Sequence, residues 1–109
     1  MKVLFDQGTP VPLRFALTAH EVTTAFERGW SQLRNGELIA KAESEGFQVF
    51  VTTDRNLRYQ QNLSGRRLAI VVLTTTSWPR IRQRADQVAA AVDTASAGQY
   101  IEVRIDASA

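Results

Sequence analysis

The chain has 109 residues, no cysteine, 44% hydrophobic and 22% charged residues, and a formal net charge of +2. Its length is that of one domain, residues 1–109, and its apolar content excludes a chain that cannot build a core. Without cysteine there is no disulfide scaffold and no thiolate metal site. The longest apolar run, Leu68 to Leu73, is too short to span a bilayer, and Asp6 interrupts Met1–Phe5 before a signal-peptide core can form. The expectation is a soluble cytoplasmic protein.

The predicted elements alternate between strand and helix. Val3-Leu4-Phe5 reads as strand one, followed by a short helix over Leu13 to Leu17 with Thr9 as N-cap and Pro10 at its first position. His20 to Thr24 is a second, weaker strand, carried by β-branched Val22, Thr23 and Thr24. After a loop containing Gly29 and Trp30, Asn35 reads as the N-cap of a helix over Glu37 to Glu45. Leu38, Ile39 and Ala42 face inward, and Gly46 is its left-handed stop. Phe47 to Val51 is a strand ended by Thr52-Thr53-Asp54, and 54–61 reads as a polar helix. Leu68 to Leu73 has the unbroken apolar character of a strand covered on both faces. Ser77 and Pro79 open one long helix whose stripe is Ile81, Ala85, Val88 and Val92, stopped by Gly98. Tyr100 to Ile105 alternates as an edge strand. Such alternation predicts an α/β fold, a three-layer α/β/α sandwich around a mainly parallel sheet.

The charge is uneven. Residues 1–54 carry net −2, residues 86–109 net −3, and residues 55–85 hold seven arginines with no acid, net +7. An arginine-rich, acid-free stretch with Tyr59 and Trp78 interleaved suits a polyanion, or the acidic face of a protein partner. Arg55, Arg58, Arg66 and Arg67 are the candidates to hold a nucleic-acid backbone.

In parallel sheets ligands sit beyond the carboxyl ends of the strands. Asp6 and Asp54 follow two such ends, and Glu37 approaches from the start of a helix. Converging carboxylates need a cation or a proton, and Mg²⁺ or Mn²⁺ accepts their oxygens while keeping waters for phosphodiester hydrolysis. Each acid also has a plainer role. Asp54 would cap the helix beginning at Arg55, Asp6 would bond its own Gly8–Thr9 turn, and Glu37 would complement a helix start. His20 reads as a surface or half-buried residue; Trp30 and Trp78 read as packing groups, with Trp78 able to stack a base. No G-x-S-x-G, P-loop or G-x-G-x-x-G is present, which removes a serine-hydrolase triad and the usual nucleotide motifs.

The runs Met1-Lys2-Val3-Leu4-Phe5-Asp6, Asn35-Gly36-Glu37-Leu38-Ile39-Ala40 and Val49-Phe50-Val51-Thr52-Thr53-Asp54-Arg55-Asn56-Leu57 together resemble the short PIN-like proteins, grouped with predicted nucleases of bacterial toxin–antitoxin pairs. The resemblance runs from strand one to about Leu73. It implies a Mg²⁺- or Mn²⁺-dependent ribonuclease site, an RNA substrate and a small cognate antitoxin. Asp6 matches the acid after strand one and Asp54 the acid of the T-x-D segment, with Glu37, Asn35 and Asn56 as further metal contacts. The family pattern has acids where Asn35 and Asn56 stand and Phe where Leu57 stands. These departures imply weaker metal binding, and a degenerate module that binds antitoxin or RNA without cutting is the alternative. A phosphoacceptor receiver-like domain wants an Asp near position 54 but also an acid pair after strand one and a final Lys, where Asp6-Gln7 and Arg104 stand. The apolar Ile101–Ile105 edge would support a homodimer.

Overall fold

A computed structural model describes residues 1–57 and 65–105. Five strands, β1 (Lys2–Phe5), β2 (Glu21–Thr24), β3 (Val49–Thr52), β4 (Ala69–Leu73) and β5 (Tyr100–Val103), form one sheet in the order β2-β1-β3-β4-β5. Every neighbouring pair is parallel, with Phe5 opposite both Thr24 and Val51, and Thr52 opposite Val72. The expected α/β class with a parallel sheet is therefore present.

The apolar runs become strands because the sheet is covered on both sides. Val3, Phe5, Val49, Val51, Val71 and Leu73 join Leu13, Leu17, Ile81, Val88 and Val92 in one core cluster. Leu4, Phe50, Ile70 and Val72, whose side chains alternate with those, join Leu38, Ile39, Ala42 and Leu57 in the second. β3 and β4 are buried at every position, as a two-sided strand requires. β5 lies at the edge, with Glu102 and Arg104 exposed and Val103 and Ile105 buried.

Among the described residues, the α-helices α1 (Asn35–Ser44), α2 (Trp78–Gln83) and α3 (Ala85–Thr94) cover the sheet. α1 buries Leu38, Ile39 and Ala42, and two residues past its end stands Gly46, whose φ of +82° is open to glycine at little cost. No helix among the described residues is long and apolar enough to cross a membrane.

Four local expectations are corrected. The Leu13–Leu17 segment is a 3₁₀ helix over Val11–Ala16, with Pro10 at the N-cap and bonds from Leu13 N–H to Pro10 O and Leu17 N–H to Arg14 O. Thr9 is buried against Asp6 and is not the cap. β3 begins at Val49 and runs through Thr52, because Thr52 still pairs with Val72. The single last helix is two, broken at Arg84 (φ −121°, ψ 21°). Both pieces pack on the 3₁₀ helix, and the bend keeps Ile81, Val88 and Val92 in one core despite the interruption. Arg58, Tyr59 and most of the helix expected over 54–61 lie outside the described residues, as does Asp106.

Candidate functional site

β1 and β3 are adjacent although β2 lies between them in sequence, so the direction of chain progression across the sheet reverses at their boundary. That boundary, at the carboxyl ends, is where parallel α/β sheets open a crevice. Asp6 leaves β1 there and Asp54 follows β3 by two residues. Asp6 is tied into the sheet by its own N–H, which donates to Val51 O at 3.1 Å.

One hydroxyl bonds the carboxylate of Asp6 and the backbone of Asp54. Thr52 Oγ1, in a fully buried residue, donates to Asp6 Oδ2 at 2.5 Å and accepts the Asp54 N–H at 3.0 Å. The other oxygen of Asp6 accepts the Thr9 N–H at 3.0 Å and the Thr9 hydroxyl at 2.7 Å, and that hydroxyl also lies 3.0 Å from Val51 O. Gly8 closes this turn over β3, and a Cβ there would collide with the Thr53 hydroxyl. Asp54 Oδ2 accepts the Asn35 side-chain N–H at 2.6 Å, and Oδ1 accepts the Asn56 backbone N–H at 3.0 Å. Both plain roles foreseen for the acids are thus filled in part, Asp6 in its own turn and Asp54 in the turn leading to Asn56. Both carboxylates nevertheless stand half-buried at one rim.

Asn35 is not the N-cap. Arg34 takes that position, which puts Asn35 in the first turn with its amide free to reach Asp54. Glu37 does not join the acids through any hydrogen bond among the described residues. It is exposed, and its Oε1 turns back to the Arg34 N–H at 3.4 Å, the helix-start role. The reason is angular: two residues along an α-helix amount to about 200° of rotation, so Asn35 and Glu37 cannot face one place. No group of three His, Asp or Glu side chains converges among the described residues. Asn56 contributes its backbone N–H, and its side chain is exposed.

The arginines separate. Arg55 is exposed beside Asp54, at the site. Arg66 and Arg67 precede β4 and lie at its amino end, a strand length of roughly 16 Å from the carboxyl rim. Arg66 there faces Glu43 at 3.7 Å, and Arg67 lines a separate cavity of about 480 Å³ with Phe47 and Gln48. Arg66 and Arg67 therefore stand apart from Asp6 and Asp54: the parallel crossover between β3 and β4 carries the chain from the carboxyl rim back to the amino rim within the acid-free stretch. His20 is also remote, half-buried between the Met1 amine (3.1 Å) and Asp93 Oδ1 (2.5 Å). Trp30 packs edge-on to Phe47 with Arg28 over its ring, and Trp78 packs against the core, as expected of both.

Two depressions meet at Asp6. One, of about 160 Å³, is lined by Asp6, Gln7, Gly8, Trp30, Asn35 and neighbours. The other, of about 550 Å³, is a groove containing Asp6, Gln7, Val11, Phe26 and Glu27. Glu27 receives Arg14 through both oxygens, at 2.5 and 3.2 Å, and accepts the Thr24 N–H at 2.9 Å. The guanidinium bonds, then that backbone N–H, push its carboxyl down to about 2. Glu27 in turn holds the Arg14 guanidinium above its ordinary value.

Sequence reasoning missed Thr52, which organises Asp6 together with the foreseen Thr9 turn, and the groove beside Phe26. The alternation within Phe50-Val51-Thr52 was the available signal, since it carries a polar residue into a buried strand position. No family model matches this chain, and no curated protein or solved structure matches it either.

A hard cation of the Mg²⁺ type takes one or two carboxylates and completes its shell with water, and Asp6 and Asp54 are the carboxylates this rim could offer one. Asp6 and Asp54 would hold it, with the Asn35 carbonyl as a neutral supplement. The set does not amount to an all-carboxylate cage. A Mg²⁺ or Mn²⁺ ion bound there would supply a more acidic water and neutralise charge at a phosphate.

Proposed function

We propose that this chain is a PIN-like domain, a three-layer α/β/α sandwich acting as a metal-dependent ribonuclease and serving as the toxin of a bacterial toxin–antitoxin pair in the cytoplasm. The observation that carries this reading is that Asp6 and Asp54 stand at the same β1–β3 rim, with the Thr52 hydroxyl bonded to the Asp6 carboxylate and to the Asp54 backbone N–H. In the proposed reaction Asp6 and Asp54 bind Mg²⁺ or Mn²⁺. Thr52 and Thr9 fix the rotamer of Asp6, Asn35 fixes that of Asp54, and Arg55 meets the RNA backbone. The cognate antitoxin would be a small protein that masks this rim, and the β5 edge would serve a homodimer.

A second reading is favoured by a specific observation. Asn35 and Asn56 flank Asp54 without charge, and Glu37 is engaged at its helix start. A degenerate module that binds RNA or antitoxin without cutting would look the same. The deciding experiment incubates the full chain with labelled RNA in Mn²⁺, in chelator, and as Asp6→Asn. The nuclease reading expects fragments that vanish in chelator and fall by on the order of 100-fold or more in the variant. Intact RNA in Mn²⁺ would select the binding module, and cutting indifferent to both changes would remove the acid site.

A further inference from the structure

Phe26 is 77% exposed, one of only three large apolar side chains on the described surface, with Phe15 (76%) and Val11 (48%). Its exposure is built in. β2 ends at Thr24, and the turn that follows is held by Ala25 N–H to Phe5 O (2.8 Å), Glu27 N–H to Thr24 Oγ1 (3.0 Å), Arg28 N–H to Thr24 O (3.2 Å) and Gly29 N–H to Phe26 O (3.0 Å). These bonds fix the backbone on both sides of Phe26, so its ring stays in solvent although a core lies close by. The first of them ties Ala25 to Phe5, which brings Phe26 and Asp6, the residues that follow them, to the same end of the sheet. Both line the same groove of about 550 Å³, with Val11 on its apolar wall. Of the two acids in the lining, Asp6 and Glu27, the second has its charge offset by the two-oxygen pairing with Arg14.

From these observations we infer that the groove is a base-binding subsite: an unpaired nucleobase of a single strand stacks on Phe26. A flat, rigid ring exposed beside polar groups suits a π-face, and stacking of this kind tolerates any base. The groove serves a single strand, because a paired base has its faces covered by its neighbours in the stack. This inference rests on the nucleic-acid reading above but not on cleavage.

The test is equilibrium binding in chelator, where no metal-dependent cutting intervenes, of the full chain to a fluorescent single-stranded RNA carrying 2-aminopurine. Phe26→Ala is expected to weaken binding by roughly 5- to 150-fold and to abolish the stacking-induced change in 2-aminopurine emission. Phe26→Trp should retain both. Phe15→Ala is the control, equally exposed but outside the lining of the groove, and should bind as the parent does; a duplex of the same sequence should not respond to Phe26→Ala. Unchanged binding by Phe26→Ala, or equal losses in Phe26→Ala and Phe15→Ala, would overturn the subsite. So would a Phe26→Ala chain that binds RNA normally but loses a co-purifying protein, which would make the groove a protein-docking surface. RNA that is bound through Phe26 yet never cut in Mn²⁺ would keep the subsite and remove the nuclease.

Discussion

Thr52 is the residue on which the geometry of the rim depends. Its hydroxyl is buried, donates to a carboxylate and accepts from a backbone N–H, so its removal strands two polar groups at once. Thr52→Val keeps the shape and is expected to cost about 1–3 kcal/mol in urea unfolding, whereas Thr52→Ser should recover most of it. Calorimetric Mn²⁺ titration of the same pair should show weaker binding for Val alone. Asp6 was legible in the sequence because it directly follows an apolar run, and Asp54 because it closes the Thr52-Thr53 break after another, both marks of a strand end. Thr52 was not, because a threonine there reads equally as the last strand residue or the first loop residue. Glu27 offers a pH test. Its folded-state value of about 2 lies below the ordinary 4.5, so the pair with Arg14 stabilises fully above pH 4.5 and loses that contribution as pH falls toward 2. The melting-temperature gap between the parent and Glu27→Gln should be constant near neutrality and close across that window. The pair is solvent-exposed, so the gap is small.

At the scale of elements, the strands and α1 were readable from apolar pattern, while the division of the last helix was not. Arg84 is neither glycine nor proline, and the apolar stripe passes through it unbroken. Only packing on the 3₁₀ helix, itself set by chain far away in sequence, selects the bend. The orientation of Asn35 relative to Glu37 was hidden for a related reason, since a shift of one position in the cap decides which side chain reaches the rim. The connection from α3 to β5 is the most demanding turn described. Gly98 has φ of +77°, and an added Cβ would stand 2.8 Å from the Arg66 carbonyl, a backbone atom that cannot rotate aside. Gly98→Ala should therefore lower stability by about 1–3 kcal/mol, measured by urea unfolding, more than the usual cost of replacing a loop glycine.

For the whole molecule, the parallel sheet gives its two rims different equipment. The carboxyl rim carries Asp6, Asp54, Arg55 and Arg104, and the amino rim carries His20, Arg66 and Arg67. A linear charge count cannot see this, because the parallel crossover from β3 to β4 returns residues close in sequence to the opposite rim. RNA binding should follow the rim and not the sequence block. In chelator, Arg55→Gln is expected to weaken binding and reduce the slope of log K against log salt by about 1, while Arg67→Gln leaves both unchanged, as read by anisotropy at several salt concentrations.

The order of synthesis adds a consequence of this topology. Asp6, Asn35, Thr52 and Asp54 all belong to the first 54 residues, yet the flank of β3 that receives β4 stays bare until the ribosome has delivered residues 69–73. Until then a nascent chain displays Val49, Phe50 and Val51 along an open backbone edge, a surface prone to self-association. The polar rim groups thus emerge early but gain their rigid support late, and a chain truncated before β4 should be both inert and aggregation-prone.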